Sequence, residues 1–456
     1  MDRFRPAGHN AHTPVPEEIT VTPDKPNILF ILADDLGWGD VSYHGSPIRT
    51  PNVDRLRQQG VELDHHYVCP MCTPTRASLL TGQFPGRFGT HATVPSNAPV
   101  LPDGYETLAV ALRDAGYDTG LFGKWHLGSD PAHGPNRFGF NHACGSLAGG
   151  VDPWNHRYKR GPESATWHRN GEFVEERGHV TDLIVREAVD WIESRTSPWF
   201  AYVPFTAVHT PVDAPHEWLD RYAFETYDGD PARDLSFKRY AAYTSHMDWA
   251  VGELVDALKR TSSYDETIVV FSSDNGAISE GPIHDTDKYP GWHFLTPRLG
   301  SNGDLRGQKA QLYEGGIRTP TVVSWPGTLT PRRCESTVQV VDWMPTLCGL
   351  VGAGPLAAPQ VDGRDIWSVI TGADRTDPGR PFYWNFRGSE FCLREGDLKL
   401  IRGTNADPDA VELYDLATDP GEQQNLAKDK PEVVAHLAGL MDHEREKDDR
   451  LKRTDA

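Results

Sequence analysis

Two pairs of oxygen-bearing side chains follow apolar, β-rich stretches of the sequence. Asp34 and Asp35 end the run "PNILFILADD", and Asp274 and Asn275 end the run "TIVVFSSDN". One such pair would be weak evidence, because Asp and Asn are common turn residues. Two pairs on one edge of a sheet carry more weight, since three carboxylates without a counter-cation would repel one another. Oxygen ligands suit hard cations such as Ca²⁺ or Mg²⁺ rather than zinc, so the four residues predict a divalent-metal site.

Four cationic or titratable side chains stand in comparable polar segments. Lys124 and His126 lie in "GKWHLG", His209 lies in "VHTP", and Lys309 lies in "LRGQKAQLYEGGIRTP". Taken singly, a lysine is usually solvated and a histidine is often a structural residue; only the expected position on the sheet edge argues for function. Together with a divalent cation, these groups and an arginine favour binding and in-line attack of a small tetrahedral oxyanion ester.

The elements that must position these residues alternate between strands and helices. The strand-like runs are "NILFILA", "YDTGLFGK", "WFAYVPF" and "TIVVFSS", and amphipathic helical patterns such as "VTDLIVREAVDWIES" and "YAAYTSHMDWAVGELVDALKR" lie between them. This order predicts an α/β domain with a large, mostly parallel central sheet, whose carboxyl edge carries the site. The stretch "TPNVDRLRQQG" is predicted to be a helix with Thr50 as its N-cap and Gly60 as its stop.

The pattern changes towards the C-terminus. From about Pro381, short alternating stretches with turns and no intervening helix predict a small antiparallel sheet. A charged helix is predicted from Pro431 to about Lys452. We therefore divide the chain into a leader segment, a catalytic α/β domain and a small C-terminal α+β subdomain, at residues 1–24, 25–375 and 376–456.

Composition and charge exclude some classes of partner. The 456 residues are 38% hydrophobic and 24% charged, as in an ordinary globular protein. The chain is longer than one that folds around a single compact core, so a large domain and a smaller one are expected. The formal charge of −20 argues against nucleic acid and against an anionic membrane, since both require a basic face. The N-terminal residues lack the apolar core of a secretory signal, and no apolar run is long enough to span a bilayer. We expect a cytoplasmic protein as the sequence is written, or a periplasmic or secreted one if a leader was removed.

One cysteine stands in a distinctive frame. The six cysteines are scattered rather than arranged as a disulfide framework, and Cys69 and Cys72 form a lone CxxC without the context of a zinc or redox motif. The stretch "CTPTRASLLTG", which begins at Cys72, resembles the signature of type I sulfatases, Cys-x-Pro-Ser/Ala-Arg with a Leu-x-Gly tail. In that family a formylglycine-generating enzyme oxidises the cysteine to formylglycine, whose hydrated aldehyde is the nucleophile. Thr75 departs from the usual Ser or Ala, and we expect it to be tolerated because the modifying enzyme chiefly requires the Cys-x-Pro-x-Arg frame.

The resemblance covers most of the chain. Segments that look like sulfatase segments occur in family order, among them "NILFILADDLGWGDVSYHGS", "GYDTGLFGKWHLG", "VVFSSDNG" and "ELYDLATDPGEQQNL". The resemblance implies an alkaline-phosphatase-like sandwich and hydrolysis of sulfate monoesters, those of a carbohydrate and also aryl sulfates. "IRTPN" and the residues around "GKWHLG" are most similar to the arylsulfatase B, or N-acetylgalactosamine-4-sulfatase, branch.

The resemblance also implies a role for each candidate residue. The two oxygen-bearing pairs would hold Ca²⁺, with Mg²⁺ as the other possibility, and the modified cysteine would be the nucleophile. Arg76 would hold its hydrate, and His126 would take the proton that triggers sulfate release. Lys124 and Lys309 would neutralise the sulfate oxygens, and His209 would face the leaving-group oxygen.

Two alternatives stay open at this stage. One is a phosphodiesterase or phosphonate monoester hydrolase of the same superfamily, and the other is a non-catalytic sulfoglycan-binding protein with an unmodified cysteine. The complete ligand set argues against the second. Recognition beyond the sulfate is expected from the small subdomain and from long loops at 145–171 and 281–304, where aromatic side chains could stack on a sugar or pack in the core. The candidates for contact with a sulfated small molecule or glycan are Trp154, His156, Trp292, Trp384 and Arg387.

Overall fold

The computed structural model describes residues 25–91, 98–158, 164–279, 300–354, 361–375, 377 and 379–448. Its strands, in chain order, are β1 Asn27–Ala33, β2 Gly60–Leu63, β3 His66–Tyr67, β4 Asp118–Lys124, β5 His142–Ser146, β6 Trp167–Arg169, β7 Glu172–Phe173, β8 Trp199–Pro204, β9 Thr267–Ser273, β10 Val322–Ser324, β11 Arg332–Cys334, β12 Val338–Gln339, β13 Pro381–Phe386, β14 Glu390–Glu395, β15 Leu398–Arg402 and β16 Val411–Asp415. Its α-helices are α1 Pro51–Gln58, α2 Cys72–Thr81, α3 Leu108–Asp114, α4 Val180–Glu193, α5 His216–Asp220, α6 Pro231–Arg260, α7 Glu314–Ile317, α8 Trp343–Leu350, α9 Trp367–Thr371 and α10 Pro431–Arg445.

A ten-stranded sheet forms the centre of the molecule, in the order β11-β2-β10-β9-β1-β8-β4-β5-β6-β7. The strands β9, β1, β8, β4 and β5 pair in parallel, while β10 and β6 pair antiparallel on the two sides of this parallel block. The carboxyl ends of the parallel strands therefore meet at one edge of the sheet. This arrangement confirms the predicted large, mostly parallel sheet.

Helices cover both faces of this sheet, which is why its central strands read as continuous apolar runs. In β1, Leu29 and Ile31 belong to one core cluster, which contains the buried faces of α4 and α6. The alternate residues Ile28 and Phe30 belong to a second cluster, with side chains of α2, α3 and α8. The period of two along a strand thus gives a three-layer sandwich of helices, sheet and helices.

Two helix boundaries differ from the sequence-based expectation. Helix α1 ends at Gln58, and Gly60, the expected stop, is instead the first residue of β2. A Cβ at Gly60 would lie 2.2 Å from the Val323 carbonyl oxygen, so the glycine permits close strand pairing. Helix α6 begins at Pro231, well before the expected "YAAYTSHMDW" pattern, because Pro at the first turn and the Asp230 side chain on the Ala232 and Arg233 N–H groups start it earlier.

The C-terminal residues form the predicted small antiparallel sheet. Strands β13 to β16 pair in sequence order, and α10 packs against β13, β14 and β15. Helix α10 ends at Arg445, and residues 446–448 form a turn, so the helix is shorter than the predicted span from Pro431 to about Lys452; Lys452 itself lies outside the described residues. The proposed division at residues 375 and 376 stays a prediction. Within the described part of the chain, no helix has both the length and the apolar composition that crossing a membrane requires.

Candidate active site

The two predicted metal-binding pairs meet at the carboxyl edge of the sheet. Asp34 and Asp35 directly follow β1, and Asp274 and Asn275 directly follow its parallel neighbour β9. All four are buried. The Asp35 backbone N–H donates to Asp274 Oδ1 at 3.2 Å, which ties the two strand ends together. Oxygen atoms of the three aspartates and the sulfur of Cys72 all lie within 4.8 Å of one another.

The donor set fits a hard divalent cation. Asn275 Nδ2 donates to Asp35 Oδ1 at 2.8 Å, whereas the buried Asn275 Oδ1 has no hydrogen-bond partner within the described residues. A buried oxygen of this kind destabilises the folded state unless it accepts a hydrogen bond or binds a cation. Burial raises the pKa of Asp34 to about 7; Lys124 opposes this shift, while Asp274 and Asp35 add to it. A cation among these carboxylates would relieve both the repulsion and the unsatisfied amide oxygen.

Cys72 is the first residue of α2, and its side chain faces the acidic cluster that Asp34, Asp35 and Asp274 form. Its Sγ lies 3.5 Å from Asp34 Oδ1 and 3.9 Å from Asp35 Oδ1. Burial, with Asp274 as the next contribution, raises the pKa of the Cys72 thiol to about 12. An unmodified thiol at this position would therefore stay protonated near neutral pH, which makes it a poor nucleophile.

Thr75 and Cys69 form a local structure beside the candidate nucleophile. The Thr75 hydroxyl accepts from the Cys69 N–H at 2.9 Å and donates to the Cys69 carbonyl at 3.3 Å. Cys69 Sγ contacts Ser78 Oγ at 3.9 Å, whereas the sulfur of Cys72 lies among Asp34, Asp35 and Asp274. A serine hydroxyl could make the same two bonds, which gives a physical reason why Thr75 fits the frame.

Two fully buried cations lie between α2, β4 and the acidic cluster. Arg76 Nε and Nη2 donate to Asp274 Oδ2 at 3.1 and 2.7 Å, and Nη1 donates to the Lys124 carbonyl at 2.8 Å. Lys124, the last residue of β4, donates from Nζ to Asp34 Oδ2 at 2.6 Å. The structure thus brings Arg76 and Lys124 to the aspartates at the carboxyl edge of the sheet.

Lys309 and His209 complete the set around Asp35. Lys309 Nζ donates to Asp35 Oδ1 at 2.5 Å, and His209 Nε2 lies 3.9 Å from Asp35 Oδ2. His209 Nδ1 is 2.7 Å from the Thr210 carbonyl, an acceptor, so Nδ1 carries a proton and Nε2 is the nitrogen directed to the site. The His209 side chain is 19% exposed, which places it at the rim rather than at the floor of the site.

His126 follows β4 in a left-handed conformation, φ 60°, a rare state for a residue with a side chain. Burial, reinforced by the cations Lys124 and Arg76, lowers its pKa well below the usual range, so the imidazole is neutral. Its buried Nδ1 has no hydrogen-bond partner within the described residues. A Cβ at Gly149 would lie 2.0 Å from His126 Nε2, so the part of the segment 145–171 that follows β5 packs against His126. The prediction of one long loop over 145–171 is wrong, because the segment contains the end of β5 and the whole of β6.

The residues expected to contact a sugar lie in unlike environments. Trp154 is 43% exposed, and its indole N–H donates to Asp213 Oδ2 at 2.9 Å. His156 is buried, with Nε2 3.0 Å from the Gly178 carbonyl. Trp384 is buried in the small-subdomain core, where no indole face is open to a ligand.

The other two residues expected to contact a sugar are Arg387 and Trp292. Arg387 Nη1 donates to Asn405 Oδ1 at 2.9 Å on the surface of the small subdomain, and its backbone N–H donates to the His91 carbonyl. Trp292 lies outside the described residues. The sequence reasoning missed Asp213, which bridges the loop of Trp154 to the loop of His209. Asp213 could have been predicted as a neighbour of the site, because it follows His209 closely in the stretch "VHTPVD".

Comparison with known proteins defines the family. The family model described as Sulfatase matches residues 26–353, and the one described as N-sulphoglucosamine sulphohydrolase, C-terminal, matches residues 307–447. Arylsulfatase J of Mus musculus is 34% identical over 373 residues, which are 78% of this chain and 57% of that relative. The N-acetylgalactosamine-6-O-sulfatase of Bacteroides thetaiotaomicron is 30% identical over 498 residues, 92% of this chain and 93% of the relative.

Solved structures give the same result for the fold. Ps i-CgsB, in complex with k-i-k-neocarrahexaose, has a TM-score of 0.82 at 29% identity and covers 93% of both chains. The phosphonate monoester hydrolase of Agrobacterium radiobacter, with 21% identity, a TM-score of 0.62 and coverage of 91% and 94%, shares the fold alone. The chain belongs to the sulfatase family, which confirms the predicted family, the alkaline-phosphatase-like fold and the sulfuric ester hydrolase class. The narrower likeness to arylsulfatase B stays a prediction.

Proposed function

We propose that this protein hydrolyses a sulfate monoester of a carbohydrate, with formylglycine derived from Cys72 as the nucleophile and Ca²⁺ as the bound cation. The observation that carries the proposal is the position of Cys72. Its Sγ is in contact with two aspartates of a cation-binding cluster, and three basic side chains pair with that cluster.

The bound cation would be held by the oxygen atoms of Asp34, Asp35, Asp274 and Asn275, and Mg²⁺ would use the same ligands. When bound, it would polarise a sulfate oxygen and favour the deprotonated nucleophile. As formylglycine, position 72 supplies an aldehyde hydrate, with one hydroxyl for attack on sulfur and a second whose deprotonation expels sulfate. A thiol offers no second hydroxyl, so the sulfated thiol would have no internal route to release.

The remaining groups of the chain stabilise charge and move protons. Arg76 orients the hydrate at the start of α2, where the helix dipole also favours an anion. Lys124 and Lys309 neutralise the sulfate oxygens as the sulfur–ester oxygen bond breaks. His209 donates a proton from Nε2 to the departing alkoxide, and the neutral His126 accepts the proton of the second hydroxyl when sulfate leaves.

The proposed substrate class rests on the relatives and on the rim of the site. One relative is named N-acetylgalactosamine-6-O-sulfatase, and one similar structure is a complex with k-i-k-neocarrahexaose. Trp154, partly exposed and fixed by Asp213, offers an indole surface beside the loop of His209. We therefore place the sugar ring against Trp154 and the sulfate towards Lys124 and Lys309.

The test is a substrate panel with fully modified enzyme, produced together with a formylglycine-generating enzyme. Sulfated mono- and disaccharides that differ in sulfate position are compared with an aryl sulfate, an aryl phosphate and an aryl phosphonate. We expect sulfate esters to be turned over most efficiently, and Cys72→Ser, made in the same host, to lack this turnover. Preference for the phosphonate ester would support the alternative hydrolase, and binding of sulfated sugars without turnover would support the glycan-binding alternative.

A further inference from the structure

The segment at 306–318 carries Lys309 to the site and touches it at two further points. The Ala310 N–H donates to the Pro70 carbonyl at 2.8 Å, two residues before Cys72. The Gly276 N–H, directly after Asn275, donates to the Gly316 carbonyl at 3.1 Å. A small displacement of this segment would therefore move the Lys309 ammonium and the loop that follows the candidate metal ligands.

A buried Glu–Lys–Glu cluster, formed by Glu314, Lys399 and Glu422, anchors this segment to the C-terminal subdomain. The Glu314 N–H donates to Glu422 Oε2 at 2.7 Å. Lys399 Nζ lies 2.9 Å from Glu314 Oε1 and 2.8 Å from Glu422 Oε1. The side chains of all three are at most 1% exposed, so water does not screen these contacts.

Glu422 belongs to "ATDPGEQQNL", a stretch that has no role in the proposed mechanism. It has a left-handed backbone, φ 53°, which is uncommon for a residue other than glycine. The turn around it is stabilised by Asp419, whose carboxylate accepts from the N–H groups of Gln423 and Gln424 at 2.8 Å. A strained, fully buried glutamate is retained only where the surrounding structure requires it.

The same cluster reaches the residues that precede Cys72. Tyr67 donates from its hydroxyl to Glu314 Oε2 at 2.5 Å, and the Val68 N–H donates to the Ile317 carbonyl at 2.8 Å. Trp384, from β13, donates its indole N–H to the Val68 carbonyl at 2.8 Å. The approach to the nucleophile and the segment of Lys309 are thus bonded to each other, and each is also held by a residue of the small subdomain, Trp384 in the first case and Glu422 in the second.

We infer that Glu422, through Lys399 and Glu314, is a positioning residue for Lys309 and for the approach to Cys72. The C-terminal subdomain would therefore contribute to catalysis through the placement of these residues. The effect on catalysis that we infer rests on the proposed function. The dependence of the 306–318 segment on Glu422 is a structural claim and holds whatever reaction the protein catalyses.

The test compares Glu422→Gln with Arg380→Met, both made as full-length, fully modified protein. Glu422→Gln keeps an acceptor for the Glu314 N–H and replaces the carboxylate oxygen that faces Lys399 with an amide group. Arg380 forms an almost fully buried ion pair with Asp342, at 2.5 and 3.1 Å, between the small subdomain and the large one, and its hydrogen bonds within the described residues do not involve the 306–318 segment. Hydrogen–deuterium exchange of peptides covering 306–318 and the inhibition constant of inorganic sulfate are measured for each.

We expect Glu422→Gln to speed exchange in the 306–318 peptides, to lower kcat about 10- to 100-fold and to weaken sulfate inhibition, since small misplacements of a positioned group have effects of this size. Arg380→Met should lower thermal stability without these changes. Unchanged exchange in Glu422→Gln, or the same local change in Arg380→Met, would overturn the inference. If Glu422→Gln does not fold, Glu422→Asp, which is too short to reach both partners, replaces it.

These readouts separate the inference from the proposed function. If the wild-type enzyme carries formylglycine and hydrolyses no sulfate ester, the proposed function fails, and the exchange of the 306–318 peptides still decides the role of Glu422. If the wild-type enzyme is active and exchange is unaffected by Glu422→Gln, only the positioning role fails.

Discussion

The assignment of His209 as the acid for the leaving group can be tested by His209→Ala. The loop after β8 holds the ring through Nδ1, 2.7 Å from the Thr210 carbonyl, so a proton must be given from Nε2. Nε2 is 3.9 Å from Asp35 Oδ2, and the side chain lies at the rim, where the ester oxygen of a bound sulfate would stand. Alanine removes the donor and leaves the buried pairs of Lys124 and Lys309 in place.

The size of the effect depends on the leaving group. A sugar alkoxide is strongly basic and needs a proton as it departs, whereas an activated phenolate departs without one. Loss of a positioned general acid costs on the order of 10²-fold at the lower end of its usual range, or about 2.7 kcal/mol of transition-state stabilisation. We therefore expect His209→Ala to lower kcat/KM for a sugar sulfate about 10²-fold more than for an activated aryl sulfate.

The assay measures kcat/KM of wild type, His209→Ala and Lys309→Ala on both substrates under identical conditions. Lys309→Ala is the matched comparison, because a residue that only binds the sulfate should depress both substrates by similar factors. An equal loss on the two substrates in His209→Ala would refute the acid role. His209 would then be another group that binds the sulfate.

Three further predictions address the nucleophile, the cation and the fold. Peptide mass spectrometry of protein made with a formylglycine-generating enzyme should show an aldehyde at Cys72 and an intact thiol at Cys69; full activity from unmodified Cys72 would contradict the mechanism. Asp274→Ala should abolish Ca²⁺ binding in calorimetry and lower activity by several orders of magnitude, since it removes charge from the cation site; a chelated, metal-free enzyme with full activity would show the cation to be dispensable. Asp248→Ala should lower the free energy of unfolding, measured by urea titration, by about 1–3 kcal/mol, because the buried Asp248 carboxylate accepts hydrogen bonds from the first N–H groups of α1. Asp256→Ala, at an exposed position, should change the free energy of unfolding by less than about 0.5 kcal/mol. Equal effects of the two aspartate substitutions would argue against the capping contact.

The sequence pattern predicts the residues at the strand ends, and the reason is geometric. Parallel strands place their carboxyl ends together, so a polar pair after each of two apolar runs is enough to predict a shared site. Asp34, Asp35, Asp274 and Asn275 are therefore found together. The backbone state of His126 was not predictable in this way, because a left-handed φ at a residue other than glycine depends on the contacts that surround it.

The small subdomain shows the limit of pattern reading. In β13, Phe382 and Trp384 face one core cluster while Tyr383 faces another, so both faces are buried and alternation cannot distinguish an exposed tryptophan from a packed one. The contact of Glu314 with Glu422 joins residues 108 positions apart. A buried charge network of this kind depends on tertiary packing, and no local spacing in the sequence indicates it.

The charges at the site suggest why its affinity for an anion would depend on the cation. Each of the three carboxylates has its own basic partner: Lys124 pairs with Asp34, Lys309 with Asp35 and Arg76 with Asp274. With all six groups ionised, this set is neutral, and the chain around it carries a formal charge of −20, so neither attracts an anion. A divalent cation on the carboxylates would give the set two positive charges and would compete with the lysines for the same oxygens. In the proposed mechanism, the cation would thereby release Lys124 and Lys309 from Asp34 and Asp35 to pair with the sulfate oxygens.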